Sequence, residues 1–224
     1  MIELDYLEVN VAKSISNSLF VKKPVKHHSA LIDKDRIRDF IKALNETEEG
    51  TDFNVKNALI FSILTASRRG NIRLIKWEEI DFKKGTWSVQ AEKMKSRRIH
   101  TIGLSRQAIE ILKFQRLFNQ GEYVFTDKGL SENTVNKFIH RLGFKGEMSA
   151  HGVRTMFRTI CEQFKKDRLI AERCLAHAER DKLNQAYDRS ENTPEMIEHK
   201  RELLQWYADY LNEIEPIKIV RIEE

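Results

Sequence analysis

His151 and Arg154 stand three residues apart in Ser149-Ala150-His151-Gly152-Val153-Arg154. On a helix that spacing puts both side chains on one face, where they can meet one anion together. The run Thr65-Ala66-Ser67-Arg68-Arg69-Gly70-Asn71 closes an apolar segment with two arginines, and a buried helix ending in arginine is costly unless the charge finds an anion. Lys95 lies in Glu92-Lys93-Met94-Lys95-Ser96-Arg97-Arg98-Ile99-His100, which reads as the tip of an antiparallel hairpin and so as a place for a mobile ammonium. Leu175-Ala176-His177 is followed ten residues later by Tyr187. A phenol can attack and later be displaced if nearby positive charge favours its phenolate, since its ordinary pKa is about 10. Together these side chains suit nucleophilic attack on an anionic centre. Singly, each has an ordinary explanation: a surface histidine beside a surface arginine, a solvated helix end, a wet turn, a packed tyrosine.

The elements that must position them follow from periodicity. Asp33 can cap a helix on which Ile37, Phe40, Ile41 and Leu44 recur at helical spacing until Gly50 interrupts. Phe53 to Ala66 is apolar almost all round, as a central buried helix requires, and Ile72, Leu74, Ile75 and Trp77 continue as a short helix. Between Ile80 and Leu104 the pattern changes to short alternating runs parted by Lys83-Lys84-Gly85 and by the polar Glu92 to Arg98 turn. This predicts a three-stranded antiparallel meander, with Ala91 on its second strand. Ser105 caps the next helix, Tyr123-Val124-Phe125 is a short apolar insertion, and Ser131 caps a helix that Gly143 stops. Ser149 starts a helix with Val153, Phe157, Ile160, Cys161 and Phe164; Leu169 to Leu175 forms another; Pro194 opens a last amphipathic one. The fold class is α+β, mostly α-helical, with a small three-stranded antiparallel sheet. Residues 1–28 read as a linker, 29–212 as the working domain and 213–224 as a strand-like tail, apolar at Ile217, Ile219, Val220 and Ile222, that packs in cis or adds to a neighbour.

Composition bounds the answer. The 224 residues are 33% charged and 41% hydrophobic, enough for one sizeable core and too apolar for a disordered polymer. No run of eighteen apolar residues exists and the first thirty carry charge throughout, so neither a membrane span nor a signal peptide is expected. Cys161 and Cys174 are too few for a disulfide framework or a zinc site and are expected to be reduced core thiols. The formal charge is only +5, yet the stretch from Ser67 to Arg106 holds eleven Lys and Arg against four acids and leaves the remainder slightly acidic. Basic density so concentrated suits a polyanion laid against that stretch.

In their order and spacing, Arg68, Lys95, His151-x-x-Arg154, His177 and Tyr187 resemble the catalytic domain of the tyrosine recombinases, specifically prophage and genomic-island integrases. Lys26-His27-His28, Ser149-Ala150-His151-Gly152 and Gln205-Trp206-Tyr207-Ala208-Asp209-Tyr210-Leu211 are similar to the same branch, so the resemblance covers about residues 26 to 212. The sequence departs from it at Asn71, where the family usually has Glu, and at Arg69, where proline is common.

The resemblance implies a site-specific recombinase that cuts and rejoins DNA through a 3′-phosphotyrosine, to integrate or excise a mobile element. Tyr187 is then the nucleophile. Arg68 and Arg154 match the non-bridging oxygens of the pentacoordinate phosphorus, and Lys95 protonates the departing 5′ oxygen. His151 is the candidate acceptor of the tyrosine proton and His177 the candidate donor to the phosphate, an assignment that the resemblance supplies. Arg97 and Arg98 join Arg68, Lys95 and Arg154 against the DNA backbone. Neither metal nor other cofactor is implied. The implied partners are double-stranded att-type DNA, a homotetramer on that DNA from a protein monomeric in solution, and an accessory directionality factor; the implied place is the bacterial cytoplasm, on the nucleoid when bound. A topoisomerase of the same chemistry and a non-catalytic DNA-binding regulator are the rival readings; the integrase-like segments argue against the first and the full residue set against the second. The chain is expected to be the catalytic part of a longer protein, binding DNA weakly and salt-sensitively by itself.

Overall fold

The computed structural model describes residues 29–47, 52–177 and 191–219. Asp33 Oδ1 accepts from the backbone N–H groups of Asp35 and Arg36 and starts α1 (Lys34–Asn45), whose Ile37, Phe40, Ile41 and Leu44 are buried. α2 (Phe53–Thr65), capped by Asp52, is buried along nearly its whole length and forms the centre of the core, with Leu59, Ile60 and Phe61 sealed from solvent. Each such side chain contributes about 1.5–3 kcal/mol by leaving water. Ala66, at φ 48°, ends the helix in the left-handed region.

α3 (Arg69–Arg73) is shorter than its apolar spacing predicts. Ile75 and Trp77 leave the helix because the backbone there pairs elsewhere: Ile75 O accepts from Val124 N, Trp77 N donates to Glu122 O, and Lys76 bridges Tyr123. The apolar insertion Tyr123-Val124-Phe125 is the other half of that pairing. A single 3₁₀ turn (Trp77–Glu79) leads into the meander, β1 (Ile80–Asp81), β2 (Thr86–Val89) and β3 (His100–Gly103), antiparallel in the order β1-β2-β3 with Trp87 opposite Ile80 and Ile102. Ala91 belongs to a 3₁₀ turn (Ala91–Lys93) rather than to β2.

α4 (Arg106–Phe118) is capped by Ser105 as expected. α5 (Thr134–Arg141) has Asn133 at its N-cap, not Ser131, whose hydroxyl instead meets Thr134 Oγ1 at 2.6 Å in the turn before the helix. α6 (Gly152–Gln163) likewise begins later than Ser149 suggests. The serine still acts on it, since Ser149 Oγ accepts from Gly152 N and donates to Ser29 O. A Cβ added at Gly152 would lie 1.9 Å from Ser29 O, so the close approach of residue 29 to this helix start requires glycine. α7 (Arg168–Cys174) and α8 (Pro194–Ile214), opened by the Thr193 cap and Pro194, complete the described helices.

The last helix fixes the sheet. Lys200 of α8 is fully buried and donates to Thr101 O, while Arg201 donates to the backbone oxygens of Gly85 and Lys84. Beyond α8, Pro216 O and Lys218 N are tied to Asn45, and Ile217 and Ile219 pack on the core in cis without joining a strand. Cys161 and Cys174 are free, buried thiols, each pushed up in pKa by burial. Among the described residues no helix is long and apolar enough to cross a membrane.

Candidate active site

Two helix ends converge. α2 finishes at the left-handed Ala66, after which the buried Ser67 and then Arg68, the N-cap of α3, turn the chain. α7 finishes at Ala176, also left-handed at φ 48°, with Ala176 N donating to Arg173 O and His177 N to Glu172 O. That pair of reversed bonds is a Schellman turn, which folds the second residue past the helix back over its last turn. Here that residue is His177.

Both turns aim carbonyl oxygens inward, and two guanidinium groups take them. Arg154, in the first turn of α6 and only 4% exposed, donates through Nη1 to Ala66 O at 3.0 Å and through Nη2 to Leu175 O at 2.7 Å. Arg68 donates through Nη2 to Ala176 O at 3.0 Å. Helix C-terminal carbonyls carry partial negative charge, so these contacts favour cations without consuming them in a carboxylate pair. Burial, then the neighbouring Arg68 charge, pushes Arg154 down to about 9, still charged at neutral pH, and burial lowers Arg68 as well. Two desolvated, mutually repelling cations favour an anion between them.

His177 completes the cluster. Its Nε2 lies 2.8 Å from Arg154 Nη2 and its Nδ1 lies 2.5 Å from Glu172 Oε2. A guanidinium can only donate, so Nε2 accepts and the ring proton sits on Nδ1. Burial first, and the two arginines later, lower the His177 pKa, while Glu172 opposes the shift. His151 is exposed at the N-cap of α6, at the start of the turn that carries Arg154.

Lys95 stands apart, exposed on the β2–β3 connection together with Arg97 and Arg98 and without a hydrogen bond to the other site residues among those described. The root of that connection is anchored. Lys93 Nζ donates to Glu79 Oε1 at 2.6 Å and to Leu74 O at 2.7 Å, and the buried Glu79 also accepts from Trp87 Nε1. Met94 is buried, and its sulfur accepts from Asn71 Nδ2, which ties the hairpin root to the helix that follows Arg68. Glu79→Ala leaves the part-buried Lys93 ammonium without its anionic partner. It is expected to lower stability by about 3 kcal/mol, measured by urea denaturation, with a loosened hairpin read from proteolysis at Lys95.

Tyr187 lies outside the described residues. The chain resumes beyond it at Glu191 and Asn192, which dock on β3: Glu191 Oε1 meets His100 Nδ1 at 3.1 Å, Asn192 Oδ1 accepts from Thr101 N, and Asn192 Nδ2 donates to Ile99 O. Of the expected residues, then, Arg154 and His177 are in hydrogen-bond contact, with Arg68 on the adjoining Ala176 carbonyl, His151 begins the same helix as Arg154, and Lys95 stands apart on a connection whose root is tied to α3. The sequence reading did not anticipate Glu172 or Glu79. The one signal for Glu79 was its place as an acid inside a strongly basic stretch, and Glu172 gave none. Among the described residues no three His, Cys, Asp or Glu side chains are grouped so as to hold a metal ion.

The family model described as the phage integrase family matches residues 30–193. The integrase of Enterobacteria phage P4 is 30% identical over 232 aligned positions, covering 94% of this chain and 51% of the relative. Prophage integrase IntZ of Escherichia coli strain K12 is 32% identical over 215, covering 92% and 50%. This chain therefore spans about half the length of the curated relatives it matches. Among solved structures, the integrase from mycobacterium phage Brujita superposes with a TM-score of 0.61 at 17% identity, over 90% of this chain and 68% of that one. A lambda integrase fragment, residues 75–356, solved as a dimer bound to a COC′ core site, gives 0.56 at 19%, over 86% and 69%. The helical layers around the meander are thus the tyrosine-recombinase catalytic fold, and the chain belongs to the phage integrase family.

Proposed function

We propose that this protein is a site-specific DNA recombinase that breaks and rejoins strands through a covalent 3′-phosphotyrosine, integrating or excising a mobile element. The observation that carries the reading is the pair of desolvated guanidiniums, Arg68 and Arg154, held by helix-end carbonyls with no carboxylate among the described residues paired to either. In the step proposed, Tyr187 Oη attacks the scissile phosphorus as the bond from phosphorus to the 5′ oxygen breaks. His151 accepts the phenol proton, Lys95 gives one to the departing 5′ oxygen, and Arg68, Arg154 and His177 hold the non-bridging oxygens. The phosphoester bond is conserved, so a 5′ hydroxyl from the exchanged strand displaces the tyrosine and religates without metal or nucleotide.

Double-stranded att-type DNA is the proposed substrate, with Arg97, Arg98 and Lys95 against its backbone. Assembly as a homotetramer on DNA from free monomers draws support from lambda integrase, solved as a tetramer bound to a Holliday junction and sharing the fold. An accessory directionality factor and a bacterial cytoplasmic setting belong to the same reading. So does the division into a linker (1–28), a catalytic domain (29–212) and a tail (213–224), for whose first residues the contacts with Asn45 favour packing in cis.

Nicked att-type duplexes, which trap the intermediate by losing the 5′ fragment, test the proposal. An SDS-stable adduct joined through a DNA 3′-phosphate is expected. Binding without any adduct would favour the regulator, and relaxation of any supercoiled plasmid regardless of sequence would favour a topoisomerase.

A further inference from the structure

His177 is oriented from behind. The Schellman turn at the end of α7 brings its ring over Glu172, which accepts the His177 N–H with its backbone oxygen at 3.0 Å and meets Nδ1 with its carboxylate at 2.5 Å. The other carboxylate oxygen is 2.9 Å from Arg158 Nε, and Arg158 is itself paired with Glu162 on α6. Glu172 is thus a bridge between α6 and α7, with one oxygen in an ion pair with Arg158 and the other turned to the histidine. The charged groups that face His177 are Arg154, Arg68 and Glu172; those that face Glu172 are His177, Arg158 and Arg154.

We infer that Glu172 is a positioning residue for His177: it accepts the Nδ1–H hydrogen bond, fixes the tautomer, and points Nε2 at the place where Arg154 would hold a phosphate. The inference rests on the catalytic reading of His177 above. In the free protein Nε2 accepts from Arg154. An incoming phosphodiester claims that guanidinium, and Nε2 can then serve the phosphate only as a donor, so the ring must take one proton from solvent. The imidazolium formed is flanked by two arginines. Glu172 is the anion in contact with it, and a carboxylate on the far nitrogen both aligns the ring and stabilises its charge.

Glu172→Gln keeps the shape and removes the charge. In cleavage of a nicked att-type duplex, a less stabilised imidazolium should move the alkaline limb of the pH profile about one unit toward acid, with about a tenfold loss of rate on that limb. In a His177→Ala background the same substitution should change neither rate nor profile, because it then has nothing to position. Thermal unfolding and circular dichroism of each variant report any loss of fold separately. An unmoved alkaline limb in Glu172→Gln, or an equal further loss in the His177→Ala background, would reduce Glu172 to a structural bridge and overturn the inference. If His177→Ala itself cleaves like the wild type, the fault lies instead in the reading of His177.

Discussion

Tyr187→Phe is expected to abolish the covalent DNA adduct, with cleavage falling by on the order of 10⁴-fold or more, while duplex affinity stays within about twofold because one oxygen and no charge is lost. The three tyrosines among the described residues support the assignment. Tyr207 is sealed in the core, its ring edge-on to Phe157 at 5.0 Å, and burial raises its pKa well above the ordinary phenol range. Tyr210 is stacked on Trp206 and also raised by burial. Tyr123 lies under the Lys76 ammonium in the Ile75–Val124 pairing, remote in topology from Arg154. None of these can present a phenolate to the arginine pair without unfolding the element that carries it. Gel analysis of the trapped intermediate decides the matter, since a normal adduct from Tyr187→Phe would mean another nucleophile.

Arg154→Lys is the second large effect. The charge survives, but the planar fork that reaches Ala66 O, Leu175 O and His177 Nε2 at once does not. A lysine ammonium can follow one of these directions and offers the phosphate a single point contact. Cleavage should fall by about 10²–10³-fold, the usual cost of removing one oriented donor from a developing oxyanion. Duplex binding should fall by less than about tenfold, since positive charge is retained. The buried carbonyl left without a donor is expected to lower stability by about 1–3 kcal/mol. Single-turnover cleavage within threefold of the wild type would remove Arg154 from the phosphate.

Much of this was legible before any coordinates. Helices α1 and α4 announce themselves through Asp33 and Ser105 and through apolar spacing, α2 through its apolar run, and the meander through its alternation and turns. What stayed hidden depended on partners distant in sequence or on backbone states that carry no marker. Ile75 and Trp77 have helical spacing, yet Glu122 and Val124 draw their backbone into an extended pairing. The turns at Ala66 and Ala176 would signal themselves as glycines; as alanines in the left-handed region they do not. Glu172 looks like any solvated helix acid until the Schellman turn brings His177 back over it. Lys200 sits on an amphipathic helix, and the Thr101 carbonyl that takes its ammonium inside is distant in sequence. The residues expected to do chemistry were found by type and order, whereas those that hold them were found only by geometry.

The contact between Ser29 and Gly152 has one more bearing. The backbone of residue 29 is wedged against the first turn of the helix that carries Arg154, with Ser149 bonded to both sides of the seam. A displacement of residue 29 is therefore delivered less than one helical turn from the buried guanidinium. The seam is a lever arm: the helix start that carries Arg154 cannot shift without displacing the backbone of residue 29.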